Sequence, residues 1–175
     1  AWEAEVFELV KANYGELMSI FMQYAKGEDA TAGGATMAQE ELTVFSVDCG
    51  LETPEFPMTK IITIFERADV VDDVGGSGKS KSGQKASKGD GALELHEFLE
   101  ALIMIAFARA NPKYGESEEA TEPEGEPLPT CLASLLTKQV LVNAKRDAMA
   151  EQLKIVQKVR QYSRAKRPRR HSRFP

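Results

Sequence analysis

The sequence predicts an all-α protein: four helices in two helix–loop–helix units, then a long C-terminal helix and a basic tail. Three observations predict it. Apolar residues recur at spacings of three or four in five separate segments, as they do on a helix with one buried face. Residues that start and stop helices bracket those segments. No region is rich in strand-like alternation, so the sole β structure expected is a short pairing between two loops.

The first helix is predicted from about Trp2 to Ala25, with Val6, Leu9, Val10, Tyr14, Leu17, Met18, Phe21 and Tyr24 on its apolar face. The second begins near Met37, where Thr36 and Gln39 form a capping-box pattern. It ends near Gly50, a residue type that commonly stops helices. The third starts at Pro57, where a missing amide proton does no harm. Its stripe is Met58, Ile61, Ile62, Phe65 and Ala68. The fourth runs from Leu95 to Ala110 and stops before Pro112. The fifth runs from about Thr130 to Tyr162.

The segments between helices differ in character. Gly27 to Ala35 is rich in small residues. Residues 74–89 hold five Gly, four Ser and four Lys, a flexible basic insert by composition. Glu116 to Glu126 holds six Glu and no base, and Pro127 and Pro129 follow. The chain therefore divides into a helical domain over 1–112, an acidic Pro-containing linker over 113–129, a helix over 130–162 and a basic tail over 163–175. A chain of 175 residues suits one well-buried domain with extensions.

Charge is split along the chain. From Glu151 onward there is one acid against nine Lys or Arg, while the rest carries 26 acids against 13 bases. An acidic body with a basic tail implies two kinds of partner surface. Cys49 and Cys131 have no metal-type spacing and are too few for a disulfide framework, so reduced thiols in the cytoplasm are expected. No N-glycosylation sequence and no basic signal leader is visible; Glu3 and Glu5 stand near the start.

One stretch carries chemistry. Asp90-Gly91-Ala92-Leu93-Glu94-Leu95-His96-Glu97-Phe98 fits the back half of a calcium loop. Gly91 permits a sharp turn, and the Ala92 carbonyl would face an ion. Leu93 would enter the core and pair with a second loop. Glu97 would offer two oxygens, and Phe98 opens the buried face of the next helix. On these residues the chain resembles the EF-hand superfamily, over roughly residues 10–108. The resemblance implies a divergent EF-hand pair.

The front half of that loop departs from the pattern. Counting back from Glu97 over a loop of about 12 residues puts Ala86 and Lys88 at ligand positions. Alanine cannot ligate, and a lysine would repel calcium. The other placement opens the loop at Asp69, after Phe65. Asp69 to Glu97 is 29 residues, and the insert 74–89 fills the excess. Asp69, Asp72, Asp73, Asp90 and Glu97 could then converge on an ion, at the entropy cost of closing a long loop. The partner loop would open at Ala25, place Met37 toward the core and close with Glu41. Glu28 and Asp29 are its other carboxylates.

Other motifs are set aside on context. Asp73 to Ser80 approaches a phosphate-binding loop, but Asp73 stands where glycine is needed and no strand precedes it. His96-Glu97 begins like a zinc-protease helix, but residue 100 is Glu100. No catalytic constellation emerges. Phe98 to Ala110 is apolar at eleven of thirteen positions, too short to span a membrane. It is either a central core helix or one covered by another chain or by the fifth helix.

Leu132, Leu135, Leu136 and Val140 are the candidate partner-binding stripe of that fifth helix, with Met149, Leu153 and Val156 further along. One reading lays this helix in the groove that EF-hand pairs offer to amphipathic helices. In the tail, Lys166, Arg167, Arg169 and Arg170 are candidate anchors to an acidic surface such as tubulin. The acidic body disfavours nucleic acid. The expectation is a non-catalytic structural or adaptor protein in a larger assembly, without a transmembrane segment and without a cofactor. General likeness to EF-hand accessory proteins of ciliary and flagellar axonemes implies a cytoskeletal or ciliary setting. The alternative is a calcium sensor using loop 69–97, with Asp69, Asp73, Asp90 and Glu97 as ligands.

Overall fold

The computed structural model describes residues 2–25, 35–69, 91–114 and 125–147. The described protein is mostly helical. Helix α1 is Trp2–Tyr24 and strand β1 is Met37–Ala38. Helices α2 and α3 are Gln39–Asp48 and Met58–Ala68. Strand β2 is Ala92–Leu93, and helix α4 is Leu95–Ala110. Helix α5, Leu128–Leu135, continues through a π-helical turn, Leu136–Val140, into the short α6, Leu141–Asn143.

The helix boundaries follow local chemistry. Gly50, at φ +61, closes α2. Its amide donates to the Val47 carbonyl at 3.1 Å, and the Leu51 amide reaches Ser46 at 3.0 Å. A left-handed residue with these two bonds satisfies carbonyls that the helix end leaves open. The start of α2 differs from the sequence reading. Thr36 is not the cap; Met37 and Ala38 join a strand, and the Ala38 amide donates to Glu41 Oε2 at 2.8 Å.

β1 and β2 pair antiparallel, Met37 with Leu93 and Ala38 with Ala92. This is the loop-to-loop pairing the sequence predicts. Behind it stands an aromatic cluster. Phe21 and Phe45 each lie within 5.5 Å of the Phe98 ring, centroid to centroid. Tyr24 stands edge-on to Phe45 at 5.3 Å. Such pairs add about 0.5–1.5 kcal/mol each beyond area burial. They fasten α1, α2 and α4 together at one point.

α1 presents a different face from the predicted one. Leu17, Ile20, Phe21 and Tyr24 are buried, while Tyr14 and Met18 are exposed. The burying row is thus the i, i+3, i+4, i+7 set that begins at Leu17. On α3, Ile64 is buried and Ile62 only half-buried. α4 lies against α1 on one side, α3 on another and α5 on a third. A helix with neighbours on several sides can be apolar nearly all round.

α5 belongs to the same core. Leu132, Leu135, Leu136, Val140 and Ala144 join Phe98, Leu102 and Ile105 in one buried cluster. In a regular helix the inward row after Leu136 would include Gln139 and Asn143. The π turn accommodates one extra residue and rotates the residues beyond it. Val140 and Ala144 then point inward, while Asn143 is exposed.

The single helix expected over 130–162 is corrected. It starts at Leu128 and ends at Asn143, and Ala144 turns to extended geometry at ψ 140. The Arg146 guanidinium takes the Leu141 and Ala144 carbonyls at 2.6 and 3.2 Å, which stops the helix by occupying its last acceptors. Residues 148–162, with the Met149, Leu153 and Val156 stripe, and the tail 163–175 lie outside the described residues. No helix among the described residues is long and apolar enough to cross a membrane.

Candidate functional site

The two loops meet through β1 and β2, and their exits are built alike. In the first, the Ala38 amide donates to Glu41 Oε2 at 2.8 Å. In the second, the Glu94 amide donates to Glu97 Oε2 at 2.6 Å. Each glutamate sits in the first turn of its helix, where a carboxylate also meets the positive end of the helix dipole. Glu97 is buried, at 3% exposure, and Glu41 is half-buried.

The second loop has one more bond. The Gly91 amide donates to Asp69 Oδ2 at 3.1 Å. Asp69 caps the end of α3, and Gly91 has φ +87, a region where only glycine is unstrained. The two residues that flank 70–90 are therefore held together. Asp69 and Glu97 are thus described. Asp72, Asp73 and Asp90 lie outside the described residues, as does the whole insert 74–89. Among the described residues, no group of three His, Cys, Asp or Glu is placed to hold a metal ion. In the first loop Ala25 is buried, and Glu28 and Asp29 lie outside the described residues.

The predicted partner-binding stripe sits elsewhere than on a surface. Leu132, Leu135, Leu136 and Val140 are each at most 3% exposed, packed into this chain's own core. They are occupied and cannot bind a separate partner without unfolding α5. The other four candidates, Lys166, Arg167, Arg169 and Arg170, lie outside the described residues. His96 is exposed, as expected, with Nδ1 3.5 Å from Glu94 Oε2.

Sequence reasoning missed a polar clasp that holds the chain after α6. Tyr24 Oη donates to Asp48 Oδ2 at 2.7 Å and accepts from the Lys145 amide at 3.1 Å. Lys145 Nζ reaches the same Asp48 oxygen at 2.8 Å. Arg146 Nε pairs with Glu16 at 2.6 Å, and the Asp147 amide donates to the Ser19 carbonyl at 3.1 Å. Burial, opposed by the Lys145 amide and aided by Asp48, raises the Tyr24 hydroxyl well above its ordinary pKa. Hydrogen bonds from Lys145 and then Tyr24 hold the Asp48 carboxyl below the usual range. Nothing in the sequence signals this clasp, because Lys145, Arg146 and Asp147 read as one more turn of helix.

A second missed device is Asn111. Its side chain donates to the Phe107 and Glu126 carbonyls, both at 3.1 Å, and accepts from the Glu126 amide at 2.7 Å. It joins the end of α4 to the residue that leads into α5. A Cβ on Gly125 would stand 2.7 Å from Asn111 Oδ1, so the glycine lets this bracket close. Both cysteines are free and buried. Burial, with help from Asp48, pushes the Cys49 thiol up to about 12. Burial likewise raises Cys131. Neither is an activated nucleophile.

The chain matches no protein-family model, no curated protein and no solved structure.

Proposed function

We propose that this chain is a non-catalytic structural or adaptor protein, built on a divergent EF-hand pair whose groove is permanently filled by its own α5. One observation carries the reading. Leu132, Leu135, Leu136 and Val140 lie in one buried cluster with Met37 and Leu93, the paired residues of the two loops. Burying each such side chain contributes about 1.5–3 kcal/mol. A partner helix would have to replace all of that to enter the groove. The pair then acts as a rigid platform rather than a switch.

The capping glutamates support the same reading. Glu97 would have to turn toward an ion to close the second loop, yet its carboxylate accepts the Glu94 amide. The basic run from Lys158 to Arg173 would tether the platform to an acidic surface, with tubulin in a ciliary or cytoskeletal assembly as the proposed case. Cytoplasmic location belongs to the same proposal.

Calorimetric titration with calcium tests it. The adaptor reading expects no saturable heat at micromolar calcium. Micromolar binding that disappears in Glu97→Gln would overturn it and establish the second reading, a calcium sensor using loop 69–97. The observation that favours that second reading is the Asp69–Gly91 hydrogen bond, which brings the first acid of the loop to its glycine across 21 intervening residues.

A further inference from the structure

An apolar groove of about 290 Å³ runs between α3 and α4. The helices lie side by side in opposite directions: Lys60 Nζ donates to the Pro112 carbonyl at 3.3 Å, and Ile64 and Arg67 share the groove with Ala108 and Met104. Ile64, Ile103, Met104, Phe107 and Leu128 form its walls, and Arg67 is the one polar residue that lines it. Its size falls at the lower edge of small-molecule sites, roughly 300–1,000 Å³. No set of polar groups converges inside to orient a cofactor. It suits one or two large apolar side chains.

The rim is basic in an otherwise acidic body. Lys60, Ile64 and Arg67 stand at i, i+4 and i+7, one face of α3, so two cations bracket one apolar side chain. Exposed Lys113 follows Pro112 at the Lys60 end. Glu66 falls on a different face of α3. Glu100, one turn before Met104, is the acid of this face of α4 and does not line the groove. The chain's own remaining segments fit poorly. Residues 115–124 contain no large apolar residue, and from Glu151 onward the chain repeats the positive sign of the rim.

We propose that this groove docks an acidic amphipathic helix of a partner protein. One large apolar side chain would insert between Ile64 and Met104, with carboxylates set against Lys60 and Arg67. This rests on the adaptor reading and names the surface that reading leaves open once α5 has filled the main groove.

The test uses the full chain with labelled Ile and Met methyl groups and two synthetic helical peptides of about 15 residues. Both carry the same Leu and Phe positions; one has Glu at its outward sites and the other Lys. The Glu peptide is expected to shift the Ile64, Ile103 and Met104 methyls saturably and to bind roughly tenfold or more tighter than the Lys peptide. Arg67→Glu should weaken the Glu peptide about fivefold while leaving the distant core methyls unmoved, since Arg67 is exposed. Equal affinity of the two peptides, no binding of either, or shifts confined to other methyls would overturn the proposal. So would groove shifts that depend on protein concentration without peptide, which would assign the groove to a second copy. The adaptor reading fails separately, on micromolar calcium binding, which these peptide shifts do not register.

Discussion

The two loops end alike and begin differently. Each exit has a two-residue strand, a glutamate turned back onto the amide before its helix, and an aromatic or leucine entering the core. At the beginnings, Ala25 opens the first loop as a buried apolar residue, whereas Asp69 opens the second with a carboxylate bonded to Gly91. The exits do the folding: they supply Met37, Leu42, Leu93 and Phe98 to the core. The beginnings are where ion chemistry would reside, and the first has none at its opening residue. The difference separates what a loop contributes to a fold from what it contributes to binding.

The comparison breaks most visibly if α5 is not part of what the exits build. Leu136→Ala removes a fully buried side chain and should cost about 2–5 kcal/mol of unfolding free energy. Denaturant unfolding should show one transition shifted as a whole. A separate early transition for α5, with the remainder unmoved, would detach it from the loops.

A smaller effect compares the two caps. Glu97→Ala leaves the Glu94 amide without its acceptor in a buried place and should cost about 1–3 kcal/mol. Glu41→Ala, at a half-buried cap, should cost about 0.5–1 kcal/mol. Thermal melts of both variants check the order. Equal losses would mean that the two exits are less different in burial than their exposures suggest.

The smallest effect concerns the clasp. Asp48 is held below its ordinary pKa in the folded chain, chiefly by Lys145. Its contribution is therefore present above the unfolded value, about 3.9, and is lost as pH falls through the folded value. Lys145→Ala should lower stability slightly at neutral pH, by less than about 1 kcal/mol, since Lys145 is largely exposed. The gap from wild type should narrow as pH drops below about 4. A gap that widens in acid would contradict this sign.

Much of the fold was legible in the residues alone. The bounds of α4, the stop at Gly50 and the pairing of Leu93 with the other loop follow from apolar spacing and turn chemistry. The burial of Leu132, Leu135, Leu136 and Val140 was legible as a stripe, but a stripe does not say whose surface it covers. The end of α6 was not legible. Periodicity continues past Asn143, and the helix stops because Arg146 and Tyr24 take up backbone groups from residues far apart in sequence. The roll of α1 was hidden for a similar reason: Tyr14 and Ile20 are both apolar, and neighbours decide which one is buried.

The central claim is that the two-loop pair and α5 form one permanently occupied unit. Native-state hydrogen exchange tests it most directly, because amide protection reports the free energy of local opening. The account predicts that amides of 132–140 exchange with the same opening free energy as those of 98–106, with and without calcium. Exchange at 132–140 through a distinctly cheaper opening, or protection there that changes on adding micromolar calcium, would contradict it.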